Sequence, residues 1–144
     1  MNIKVIYFTR TGNSKRVAEK IATKLNASVI QIDDHHQWKG FIGYIRAGFY
    51  STVDKKVKIT LSQPIESYDE LIVVSPLWAG GAAPAIRAFF KLHPKEKSHL
   101  VITSIGSTIK DRSIYLSVTD IVERANDEDL KIDSLVSKIS NRPY

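Results

Sequence analysis

The hexapeptide Thr9-Arg10-Thr11-Gly12-Asn13-Ser14 directly follows the apolar run at residues 3–8, and a helical pattern begins at once after it. Three hydroxyls, one carboxamide and one guanidinium are thus packed around a glycine that permits a bend a side chain would block. A strand, a tight polar loop and a helix N-terminus together present backbone N–H groups to an anion, most often a phosphate. Holding it by Thr9, Thr11 and Ser14 hydroxyls suits a tightly bound phosphomonoester better than a triphosphate awaiting transfer. The spelling excludes two commoner phosphate loops. There is no Gly-x-x-x-x-Gly-Lys-Ser/Thr and no Gly-x-Gly-x-x-Gly. The bland alternative for the loop on its own is a βα turn whose Thr and Ser cap a helix.

A second cluster changes that balance. Ser75-Pro76-Leu77-Trp78-Ala79-Gly80-Gly81 follows another apolar run and leads into Pro84-Ala-Ile-Arg-Ala-Phe-Phe90. Pro76 stiffens this loop, and Gly80 and Gly81 let its backbone approach a flat ligand. An indole at Trp78 suits stacking on an aromatic ring system. A third polar turn, Thr103-Ser104-Ile105-Gly106-Ser107-Thr108, closes a fourth apolar run.

These loops need a scaffold that brings them to one edge. Short, nearly continuous apolar runs at residues 3–8, 28–32, 71–74 and 100–103 read as strands buried on both faces of a parallel sheet. Val17, Ala18, Ile21, Ala22 and Leu25 fall at helical spacing, as do Ile86, Phe89 and Phe90 after Pro84. Ile114, Val118, Ile121, Val122 and Ala125 also fit one face of a helix. Trp38, Phe41, Ile42, Ile45 and Phe49 predict a short amphipathic helix in an aromatic-rich stretch. Residues 130–136 read as a fifth strand or an irregular edge segment, which leaves a last helix short or missing. Alternating strands and helices imply a doubly wound α/β sandwich, a single domain spanning residues 1–144. In such sheets, ligands sit at the carboxyl ends of the strands, where all three loops lie.

The three loops, in this order and spacing, resemble the flavin loops of the flavodoxin family, in particular short bacterial flavodoxin-like proteins. The resemblance runs from Met1 to about Ala125. It implies a five-stranded parallel sheet of order 2-1-3-4-5 with helices on both faces, binding FMN at its carboxyl edge. By that similarity Thr9, Arg10, Thr11, Gly12, Asn13 and Ser14 hold the phosphate, and Pro76, Leu77, Trp78, Ala79 and Gly80 flank the ring. Ser104, Ile105 and Gly106 offer backbone groups to its pyrimidine end. Three features depart from the family pattern. The third loop has no aromatic, so a second stacking partner either comes from residues 38–50 or is missing. The chain is basic where electron-carrier flavodoxins are acidic, which changes the partner it would dock. The truncated last helix would leave one sheet face uncovered and predicts a homodimer.

Bulk properties narrow the remaining classes. The 144 residues carry 21 Lys and Arg against 15 Asp and Glu, a formal charge of +6. The basic residues are interleaved with acids, and the densest run, Lys55-Lys-Val-Lys58, is too short for a nucleic-acid track. A basic surface steers acidic redox partners instead. The absence of cysteine excludes disulfides, thiol catalysis and iron–sulfur ligation, and fits a cytoplasmic location. No apolar run reaches the ~20 residues of a membrane span, and no signal peptide is visible. His35 and His36 read as a solvated turn and His93 and His99 as structural, so no metal site is expected. A receiver domain would need aspartate where Ser75 and Pro76 end the third strand. The expected function is an FMN-binding redox protein passing electrons between partner proteins. The alternative is an FMN-dependent NAD(P)H or quinone oxidoreductase, and a non-catalytic binding module is a third reading. Excess positive charge predicts a fully reduced flavin less strongly reducing than in acidic relatives.

Overall fold

The computed structural model describes residues 1–34 and 59–141. The amphipathic helix expected around Trp38 and Phe49, the His35-His36 turn and the Lys55–Lys58 run lie outside them. Chain order is β1 (Ile3–Tyr7), α1 (Asn13–Leu25), β2 (Ser28–Asp33), β3 (Thr60–Leu61), β4 (Glu70–Trp78), β5 (Gly81–Ala82), α2 (Pro84–Phe90), β6 (Ser98–Ser104), β7 (Ser117–Val122) and α3 (Glu128–Ser140).

Five strands run parallel in the order β2-β1-β4-β6-β7, the 2-1-3-4-5 order expected from the sequence. The short β3 adds antiparallel to the β2 edge, pairing Leu61 with Ile32. Strand alternation splits the core in two. Ile6, Phe8, Leu71, Val73, Leu100 and Ile102 face α2 with Ile86 and Phe89. Val5, Tyr7, Ile72, Val74 and Val101 face the other way, against Val17 and Ile21 of α1 and Ile132, Leu135 and Ile139 of α3. Strands buried on both faces are why these runs read as continuously apolar.

The C-terminal third corrects the sequence expectation. Residues 117–122, read as helical from Val118, Ile121 and Val122, form β7, which pairs with β6 from His99↔Ser117 to Ser104↔Val122. Val118 and Ile121 serve opposite core faces, which a strand achieves and a helix would not. Residues 130–136, read as a strand or edge, lie within the thirteen-residue helix α3. Its buried Ile132, Leu135 and Ile139 follow helical spacing, Glu128 and Asp129 favour its N-terminus, and Lys138 its C-terminus. The last helix is therefore neither short nor missing. The uncovered face that predicted a homodimer is covered by α3.

Candidate functional site

The carboxyl ends of β1, β4 and β6 open on one edge of the sheet. A cleft of about 360 Å³ lies there, lined by Thr9, Arg10, Thr11, Asn13 and Ser14, by Pro76, Leu77 and Trp78, and by Thr103, Ser104, Ile105, Gly106 and Ser107. Its volume is within the range of small-molecule sites. Eleven of the fourteen residues expected to bind the cofactor line it. The other three, Gly12, Ala79 and Gly80, shape its loops instead. Thr103 and Ser107 were not among the expected residues, although both fall inside the third polar turn that the sequence displays.

The first loop is built around Gly12. Its φ of +96° lies in the left-handed region, and its N–H donates to Thr9 Oγ1 at 2.9 Å. Gly12 is also the N-cap of α1, where it has no side chain to bond the first-turn N–H groups, and no acidic residue stands in that turn. The loop thus aims uncapped donors and a positive dipole end at the cleft, with Arg10 beside them. Thr11 is exposed, whereas Ser14 is buried, its Oγ 3.0 Å from Thr103 Oγ1 at the end of β6. Ser14 therefore ties the first loop to the third as well as lining the cleft.

The start of α1 is held from outside. Arg16 donates to Asn13 Oδ1 at 2.8 Å and grips both carboxylate oxygens of Glu128 on α3, at 2.6 and 3.2 Å. Lys20 donates to the same carboxylate at 2.7 Å. These hydrogen bonds, Arg16's first and then Lys20's, outweigh burial and lower the Glu128 carboxyl from 4.5 to about 2.

The second loop is a two-residue hairpin. Trp78 pairs with Gly81 and Leu77 with Ala82, leaving Ala79 and Gly80 as the turn at φ of +51° and +82°. Two successive positive φ angles make a type I′ turn, whose twist suits adjacent strands. Ser75 Oγ accepts from Ala83 N at 3.0 Å and fastens the far side of the hairpin. Trp78 is only 9% exposed, its ring edge-on to Phe8 with centroids 5.8 Å apart. It closes the core at the strand end and lines the cleft with what remains.

The third loop is pinned from β7. Asp120, buried on that strand, accepts from Ile109 N at 3.1 Å and from Arg112 Nη1. Arg124 N donates to Ile105 O at 3.1 Å, and its guanidinium lies against Gly106, where a Cβ would meet Nη1 at 3.1 Å. Ile105 stands 65% exposed at the rim. At the opposite sheet edge, buried His99 bonds Ser117 Oγ at 2.7 Å and Glu70 Oε1 at 2.8 Å. His93 stacks on Phe89, and burial lowers its pKa. Both histidines have the structural settings expected of them.

Neither a protein-family model nor a curated protein matches the chain. Solved structures do. A flavoprotein from Lactobacillus acidophilus, determined in complex with FMN, aligns over 92% of this chain and 97% of its own with a TM-score of 0.70 at 18% identity. A protein from Bacteroides eggerthii assigned as a flavoprotein aligns over 98% and 99%, also with a TM-score of 0.70, at 16% identity. The fold is flavodoxin-like. This flavodoxin-like chain spans nearly the whole of both structures. Among its described residues no helix is long and apolar enough to cross a membrane.

Proposed function

We propose that this flavodoxin-like protein binds FMN in the cleft and passes electrons between partner proteins. The observation that carries the reading is the convergence of all three loops on one cleft with two unlike ends. The uncapped α1 N-terminus, Arg10 and Thr11 offer an anion site at one end. Leu77 and Trp78 offer an apolar wall beside it, and the third loop offers polar backbone beyond. A phosphate joined to a flat heteroaromatic ring has these two demands in one molecule. The donor set fits: hydroxyls, free helix N–H groups and one guanidinium suit a phosphate dianion. FMN, when bound, supplies the redox chemistry, and the protein positions and tunes it. The FMN complex of the Lactobacillus acidophilus relative supports the choice of ligand.

Electrons reach such a ring through contact at the exposed rim, so a partner protein would dock over Ile105. The +6 charge favours an acidic partner. The visible spectrum of the purified protein, followed by FMN titration, tests the reading. Oxidised-flavin absorption, or saturable micromolar binding to the colourless protein, is expected. A colourless protein that does not bind FMN overturns it. Steady-state NADPH oxidation with a quinone and no added reductase would instead assign the protein as an FMN-dependent oxidoreductase.

A further inference from the structure

Among the described residues that line the cleft there is no carboxylate, and the one ionisable side chain is Arg10. Two further cations lean on the loops. The Arg124 guanidinium packs against Gly106, with Nη1, Cδ and Cζ within 3.1–3.3 Å of the position a Cβ would take. The Lys110 stem crosses Gly80, with Cε 3.7 Å from the corresponding point there, and Lys110 N donates to Gly80 O at 3.4 Å. Among the acids from Asp120 to Glu128, Asp120 receives Arg112 and Glu128 receives Arg16 and Lys20, and Glu123, Asp127 and Glu128 line a neighbouring cavity rather than the cleft.

Given FMN in the cleft, we infer that Arg124 is a positioning charge that favours fully reduced anionic flavin, so that the protein takes up and delivers electrons in pairs. The electrostatics follow from the charge of each state. Oxidised flavin and its one-electron, one-proton product have neutral rings. The second electron, added without a proton, leaves one negative charge at the pyrimidine end. By the resemblance to flavodoxin loops, that end would lie at Ser104, Ile105 and Gly106, the loop Arg124 backs. A cation there lowers the energy of the last state alone and raises the second midpoint without moving the first. The one-electron form is then disfavoured against its neighbours. Lys110, at the second loop, adds a weaker contribution of the same sign.

The experiment is a spectroscopic reductive titration of the FMN-loaded protein with dithionite, a two-electron donor, with mediators to read both midpoints. Wild-type protein should pass from oxidised to fully reduced flavin with little one-electron form. Arg124→Gln keeps the backbone bond to Ile105 and should weaken the preference for fully reduced over one-electron flavin about three- to tenfold. Tenfold corresponds to a second midpoint lower by about 59 mV. Arg124→Lys should restore most of the loss, and 1 M salt should shrink the difference because the site is open to solvent. Gly106→Ala, which pushes the guanidinium aside with the charge retained, should give part of the Arg124→Gln shift. Equal midpoints in wild type and Arg124→Gln overturn the inference, as does a wild-type one-electron form exceeding half the flavin. Failure to load FMN would show before any reductant is added and would overturn the proposed function with it.

Discussion

Ser14 Oγ lies 3.0 Å from Thr103 Oγ1, a buried hydrogen bond that joins the first turn of α1 to the carboxyl end of β6 across 89 positions of sequence. It turns two of the three cleft loops into one unit. It also divides the labour among the loop hydroxyls. Ser14 holds loop to loop, Thr9 holds the loop to itself through Gly12 N, and exposed Thr11 is left to meet a ligand.

Thr11→Ala should therefore lower FMN affinity about tenfold or more, the worth of a hydrogen bond to a charged phosphate at about 1.5–3 kcal/mol, with little change in stability. Ser14→Ala and Thr103→Val should each cost about 1 kcal/mol of stability, with the double variant costing less than the sum. Titration calorimetry and urea denaturation read the two quantities separately. An additive double variant would show that the hydroxyls do not act as a pair.

Glu128 should make stability depend on acid. Its carboxyl is at about 2 when folded and returns to its ordinary 4.5 when unfolded. Between those values the unfolded chain binds the extra proton, so stability rises with pH there. The contribution is complete above about pH 4.5 and is lost as pH falls through about 2. Glu128 is 22% and Arg16 50% exposed in its side chain, so screening reduces the contribution to about 1–2 kcal/mol. Glu128→Gln should lose that much at neutral pH and show a flatter acid limb in denaturation series from pH 7 to 2. An unchanged limb would mean that the Arg16 and Lys20 contacts carry no net stabilisation.

Ala79 holds a φ of +51° at the first position of a type I′ turn, a conformation that opposes its Cβ. Ala79→Asn should stabilise the protein by about 0.5–1 kcal/mol without altering the cleft, since Asn tolerates this region and Ala79 does not line the site. Gly80→Ala should cost about 1 kcal/mol through its φ of +82° alone, because only the flexible end of Lys110 stands near the new Cβ. Thermal unfolding of the pair, with opposite signs expected, checks the turn assignment.

The α/β class, the first four parallel strands, helices α1 and α2 and the polar loop–strand junctions were legible in the chain, because each depends on local pattern. Apolar runs with β-branched residues and a 3.6-residue period record burial directly. The three loops were legible for the same reason: hydroxyls, glycines and a tryptophan interrupt those runs abruptly. The C-terminal third was not legible. Residues 117–122 and 128–140 carry patterns that fit either period over a few residues. The choice was made by pairing with β6 and by the apolar face of α1 and β1 that α3 covers. The loop composition marked Trp78 as an indole suited to stacking on a ring, and packing against Phe8 buries most of it. The sequence by itself determined which residues could hold an anion and a flat ring. Only the tertiary structure decided which of them face the cleft and which brace it, because Ser14 with Thr103, Glu128 with Arg16 and Arg124 with Gly106 meet across long stretches of chain.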